Sequence, residues 1–272
     1  MDNFLDKIFF RSRNLDYISQ NLINLTNQTP AKRIFEAINT YSENSEVRYV
    51  GGCVRKIIKK EIVDDIDLAT NLKPSEVCDA LKKQDINYYE TGIEHGTITA
   101  IIDDYKYEIT SLRKDVSTDG RHAKVEFSSD WKEDAARRDF SINSIYSDKD
   151  GNLFDPYNGK KDLESGKINF IGDSENRIKE DYLRILRYVR FFLNYSNQSH
   201  DINIIKKIKQ NIGGVSKLSS ERLLDEFKKL TRSNAFLKIF NDEISLELIE
   251  IIFPQLKNLE NFKKLNSYAL DN

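Results

Sequence analysis

YVGGCVRKIIKKEIVDDIDLAT, Tyr49–Thr70, reads as a strand, a glycine turn, a short helix and a second strand. The first strand ends in Gly51-Gly52, the helix runs from about Val54 to Lys60, and the second strand carries Asp65-Ile66-Asp67. Residues two apart on a strand share a face, so the carboxylates of Asp65 and Asp67 project together. Two parallel carboxylates repel unless a positive charge sits between them, and a divalent cation with oxygen ligands supplies one. Gly51 and Gly52 allow a tight turn and a close approach of backbone to ligand. Arg55 adds a cation where the helix start already favours an anion. A phosphate cradle thus lies one helix away from a metal-binding acid pair, as a nucleoside triphosphate requires. Alone, a GG turn or a surface D-x-D is ordinary; the pairing is the signal.

Working outward, the 272 residues suggest about two domains. With 42 basic and 44 acidic residues the formal charge is −2, so any nucleic-acid contact must come from local patches. Two cysteines, Cys53 and Cys78, are too few for a disulfide framework and point to a reducing cytoplasm. No apolar run reaches the length of a membrane span, and no leader is visible before Asp2 and Asp6. His95, His122 and His200 lack metal-ligand spacing, so zinc is not expected.

Phe4, Leu5, Ile8 and Phe9 recur at helical spacing, and Ala31 to Tyr41 forms a second helix candidate. Glu46 to Val50 begins the sheet, and Pro74 opens an amphipathic helix, PSEVCDALKKQ. Ile86–Glu90, Gly96–Ile102 and Tyr105–Leu112 read as strands, the last two joined at Asp103-Asp104. A small mixed sheet with helices on one face follows. On the third of these strands Glu108 faces away from Tyr107 and Ile109, as a solvated residue or a third carboxylate. Lys114 to Trp131 reads as a polar surface loop turning at Asp119-Gly120, with Arg121, His122 and Lys124 close by. RIKEDYLRILRYVRFF, Arg177–Phe192, reads as one helix with Asp181, Arg184, Arg187 and Arg190 in a row, which is ordinarily a solvated face. Ser219 or Ser220 caps a further helix.

These segments together resemble the class II CCA-adding enzymes and bacterial poly(A) polymerases of the nucleotidyltransferase superfamily. GGCVRK and DID are similar to motif A, except that Lys56 stands where the family has Asp. YKYEITSLR resembles the strand of the third carboxylate, and His95-Gly96-Thr97 a family signature to which we attach no chemical role. Ala135–Ser144 resembles motif B, Phe154–Gly172 motif C, Glu180–Arg187 motif D and Ser219–Glu226 motif E. Lys114–Trp131 is similar to the flexible loop that reorganises the pocket for the terminal A. The resemblance runs from Arg48 to about Pro254; the body and tail of full-length members are largely absent, which implies weak, salt-sensitive tRNA binding.

The resemblance implies an α/β (α+β) nucleotidyltransferase head over residues 1–165 and an all-α neck over 166–272, with motif C as hinge and packing element between them. It implies catalytic carboxylates at Asp65, Asp67 and Glu108, with Mg²⁺ on Asp65 and Asp67. Nucleotide contacts fall to Gly52, Arg55, Arg138, Asp139, Asp181, Arg184, Arg187 and Arg190, with Asn143 in support and motif E bracing the motif D helix. A guanidinium fork suits phosphate or ribose oxygens. Cytosine and adenine share an amine beside a ring-nitrogen acceptor. Asp181 would accept from the amine and Arg184 donate to the ring nitrogen or neighbouring oxygen. A wrong base leaves a buried polar group unpaired, at about 1–3 kcal/mol each. The implied activity is addition of CMP and AMP to tRNA 3′ ends from CTP and ATP, in the cytoplasm, with no membrane partner. A CC-adding or A-adding specialist, a poly(A) polymerase of the same fold, or an inactive RNA-binding relative remain the alternatives.

Overall fold

The computed structural model describes residues 17–118 and 123–256. The helix expected around Phe4 to Phe9 and the turn at Asp119-Gly120 with Arg121 and His122 lie outside the described residues. Two compact units divide the chain: the described residues up to Ser117 with Lys124–Lys161 form one, and the stretch from Asp162 belongs to the other.

The first unit is built on a seven-stranded mixed sheet of order β3-β4-β5-β2-β1-β8-β9. Its strands are β1 (Val47–Val50), β2 (Ile66–Thr70), β3 (Asn87–Gly92), β4 (Thr97–Ile102), β5 (Tyr105–Ser111), β8 (Tyr146–Ser147) and β9 (Leu153–Phe154). Between β5 and β8 come β6 (Arg113–Thr118) and β7 (Ala123–Phe127), which pair as a separate two-stranded sheet. The polar loop expected over Lys114–Trp131 therefore contains a strand pair.

Alternation divides the main sheet cleanly. Val47, Tyr49, Ile66, Leu68, Ile98, Ala100, Tyr107 and Ile109 enter one apolar core. Helices α1 (17–28), α2 (Ala31–Asn39), α3 (Gly52–Lys59) and α4 (Pro74–Lys83) close that core. In α2 the buried Ala31, Ile34, Phe35 and Ile38 recur at helical intervals, and in α4 Val77, Ala80 and Leu81 do the same. Burying such a Leu or Ile side chain contributes about 1.5–3 kcal/mol. Cys53 is wholly buried behind α3, and burial pushes its thiol up to about 11, away from reactivity. On the opposite face Val50, Ala69, Leu112 and Tyr146 form a smaller cluster with Ala135 of α5 (Trp131–Ala136). The rest of that face carries Asp67, Glu108 and their neighbours.

The second unit is helical: α6 (Gly159–Ser165) leads into it, followed by α7 (Ser174–Glu180), α8 (Leu183–Tyr195), α9 (Ile202–Asn211), α10 (Ser220–Thr231) and α11 (Glu243–Ile252). Ser219 caps α10 by accepting from the Arg222 N–H. The single helix expected over Arg177–Phe192 is two: α7 stops at Glu180, and Asp181 is extended at φ −153° and ψ 105°. Among the described residues no helix is long and apolar enough to cross a membrane.

Candidate active site

β1 ends at Gly51, whose φ of 68° suits glycine, and α3 starts at Gly52. The helix begins two residues earlier than its apolar pattern suggested, which aims the N–H groups of its first turn out of the glycine turn. The space beside these glycines is tightly shared. A Cβ on Gly51 would sit 3.7 Å from Arg138 Nη1, and one on Gly52 3.9 Å from Asp67 Oδ2. The turn, the metal-type acid and the motif B arginine therefore meet at one point.

Asp67 pairs in register with Glu108 across the parallel β2–β5 ladder, while Asp65 lies one residue before β2 begins. Asp67 is partly buried; Asp65 and Glu108 are exposed. Among the described residues no hydrogen bond or ion pair reaches these three carboxylates. Burial, then the charges of Glu108 and Asp65, raise the Asp67 carboxyl above its ordinary value, against the opposing pull of Arg138 and Arg55. A half-buried carboxylate with no donor and two like charges beside it fits a hard divalent cation. No group of three or more acids, histidines or cysteines encloses a metal position among the described residues. An open site of one or two carboxylates, completed by phosphate oxygens and water, suits a small cation better than a closed cage.

Asp134 organises the neighbouring arginines. It is 1% exposed, and its Oδ1 accepts from Arg137 Nε at 2.8 Å. Its Oδ2 accepts from Tyr146 OH at 2.7 Å, Arg138 Nη2 at 3.2 Å and Arg138 Nε at 3.3 Å. Burial works against the charged form, but the Arg138 and Arg137 guanidiniums overcome it and hold the Asp134 carboxyl at about 2. Arg138 also donates to Tyr146 OH at 2.9 Å. Its guanidinium is thus fixed, and Asp134 and Tyr146 keep it charged. Arg55 is buried rather than presented to solvent and donates to Asn143 Oδ1. Asn143 in turn donates to Asp139 Oδ1 at 2.8 Å. Asp139, expected among the nucleotide contacts, is 7% exposed and also accepts from the Phe140 N–H, so it holds the motif B turn. Lys56 pairs with Asp64, tying α3 to the segment that leads into Asp65.

In the helical unit the break after Glu180 takes Asp181 out of the arginine row. Its Oδ2 accepts from Arg222 at 2.8 Å and its Oδ1 from the Leu183 N–H at 3.1 Å. Arg184 donates to Glu180 Oε2 at 2.6 Å and to the Arg177 carbonyl at 2.7 Å. Arg190 pairs with the buried Glu226, which also lies 3.9 Å from Arg187. The row is therefore no solvated face: residues of the motif E segment, Arg222 and Glu226, engage both of its ends. Asp134, Tyr146, Glu180 and Glu226 escaped the sequence reading as site residues. The signal for Asp134 was present, since it precedes Arg137 and Arg138 at helical ion-pair spacing.

Residues 47–169 match the family described as the poly A polymerase head domain, and 201–260 match the probable RNA and SrmB-binding site of polymerase A. Human mitochondrial CCA tRNA nucleotidyltransferase 1 is 40% identical over 228 residues, 82% of this chain and 52% of that protein. The CCA-adding enzyme of Lactobacillus johnsonii is 34% identical over 243 residues, 88% of this chain and 59% of its own. The crystal structure of the Bacillus stearothermophilus CCA-adding enzyme in complex with CTP superposes with a TM-score of 0.68 at 27% identity, covering 79% of this chain and 50% of that one. The chain thus spans about half the length of the curated relatives it matches.

Proposed function

We propose that this chain, which belongs to the CCA-adding enzyme family of nucleotidyltransferases, transfers CMP and AMP from CTP and ATP to the 3′ end of tRNA without a nucleic-acid template. The observation that carries the reading is the donor-free Asp67 carboxylate, in register with Glu108 and beside a glycine turn faced by a fixed arginine. Asp65 and Asp67, with Glu108 alongside, are assigned to Mg²⁺, whose preference for carboxylate, phosphate and water oxygens matches this set. When bound, the metal makes the RNA hydroxyl more acidic and neutralises charge on the departing pyrophosphate. The first-turn N–H groups at Gly52 and the guanidinium of Arg138 receive the triphosphate. Arg55, held by Asn143, adds positive potential from beneath.

Asp181 and Arg184 are assigned to selecting the base. A carboxylate has about four lone-pair positions, and among the described residues Arg222 and the Leu183 N–H donate to Asp181, so it can still accept from the amine of cytosine or adenine. Arg187 and Arg190, anchored on Glu226, keep the helix surface positive for the nucleotide. Two buried reduced thiols suit a cytoplasmic setting.

The test is stepwise incorporation on tRNA lacking CCA and on tRNA ending in CC, one nucleotide at a time. CMP should add to the first, AMP to the second, and Asp65→Ala should abolish both while retaining tRNA binding. The matched head domain is also that of poly A polymerases, which favours a second reading. AMP addition to a poly(A)-type RNA with no CMP addition would establish it instead. No incorporation by the wild-type chain with Mg²⁺ would remove both.

A further inference from the structure

The face of the main sheet that bears the acids carries one continuous cross-strand row, exposed at Tyr89 and Glu108 and buried at Thr99. Tyr89 on β3 pairs with Thr99 on β4, Thr99 with Glu108 on β5, and Glu108 with Asp67 on β2. Partners in register share a face, so Tyr89 stands on the same surface as the two acids, three strand spacings or about 14 Å from Asp67. It is 57% exposed on the edge strand of the sheet. Its neighbour Tyr88 turns the other way and packs on the core. The β3–β4 register shifts between Tyr89 and Gly92, an irregularity of the kind that re-aims a side chain beside a site. Lys106, two residues from Glu108 and on its face of β5, is exposed as well.

Direction decides what such an aromatic meets. The glycine turn and Arg138 lie on the β1 side of the acids, and Tyr89 lies on the β3 side. In phosphoryl transfer the attacking and leaving oxygens are roughly in line on opposite sides of phosphorus. With pyrophosphate leaving toward the β1 side, the hydroxyl arrives from the β5 side, and the strand that bears it extends over β4 and β3. The geometry points to Tyr89 as a stacking platform for a base of the single-stranded RNA 3′ end, upstream of its reacting nucleotide, with Lys106 meeting a phosphate on the way. This rests on the nucleotidyl-transfer reading above. An aromatic face accepts any base, so the platform holds the growing end whichever nucleotide was added last.

Steady-state incorporation of a single CMP into tRNA lacking CCA tests it. Tyr89→Ala should raise KM for the RNA about tenfold, leave KM for CTP and kcat within about twofold, and keep the wild-type melting temperature; Tyr89→Phe should behave as wild type. Lys106→Ala should lower the log–log salt slope of RNA binding by about 0.7. Separately, a primer carrying 2-aminopurine next to its terminal nucleotide should be quenched by the wild-type protein and by Tyr89→Phe, and not by Tyr89→Ala. That quenching reads the platform even if no nucleotide is incorporated, so the two readings fail separately. An unchanged RNA KM with unchanged quenching in Tyr89→Ala overturns the inference. So does a variant whose only defect is loss of self-association, which would make the edge strand a contact between copies of the chain.

Discussion

Asp67 is partly and Asp134 almost wholly shielded from solvent in the same unit, yet their carboxyls are shifted in opposite directions. Asp134 is saturated: two arginines and a tyrosine donate to it, and its carboxyl stays ionised down to about 2. Among the described residues Asp67 receives no donor, and burial with the flanking acids pushes its carboxyl up. The acid that holds the arginines is satisfied, and the acid proposed to hold the metal is not. A partly buried carboxylate with like charges beside it suits a cation, while a buried carboxylate whose lone pairs are engaged is part of the frame.

The sharpest way to break this contrast is to remove each acid in turn. Asp67→Ala should lower single-nucleotide incorporation about 10³-fold or more while the protein stays folded, because it deletes the proposed metal ligand and no hydrogen bond or ion pair among the described residues. Mg²⁺ should raise the melting temperature of the wild type and leave that of Asp67→Asn unmoved. Asp134→Ala should do the reverse of Asp67→Ala in stability. Leaving the partly buried Arg137 and Arg138 without their acid should cost about 3 kcal/mol in urea denaturation. Acid titration gives a smaller effect. The folded pKa of Asp134 is depressed from 3.8 to about 2, so its contribution is present above about pH 4 and lost as pH falls through 2. It amounts to about 2 kcal/mol, and unfolding free energy measured across that window should show it in the wild type and not in Asp134→Asn. Smallest is Tyr146→Phe, which removes one hydroxyl from the cluster. A loss of about 1 kcal/mol in stability is expected, with a modest rise in KM for the triphosphate.

Much of the head was legible because its sequence signals are local. The glycine pair ends β1, Asp67 marks an outward position on β2, and Tyr107–Glu108–Ile109 announces the faces of β5. Strands β8 and β9 are two residues each, too short for any period to show, and they form because partner strands capture them. The break at Asp181 was invisible for a different reason. Nothing in RIKEDYLRILR opposes a helix; the pairing of Asp181 with Arg222, far along the chain, accompanies its extended backbone. Burial of Arg55 and Asp139 was missed similarly, since the Asn143 bridge between them depends on how the motif B turn folds under α3.

The joint between α7 and α8 carries one more consequence. A Cβ on Gly214, in the turn Ile212–Lys217, would lie 2.1 Å from Tyr182 Cε1, at the very residue where the first helix hands over to the second. Any bulkier amino acid there would act as a wedge, tilting the arginine-bearing rod without altering one of its own residues. The base selection proposed for this segment is therefore open to retuning from a position that has no side chain of its own.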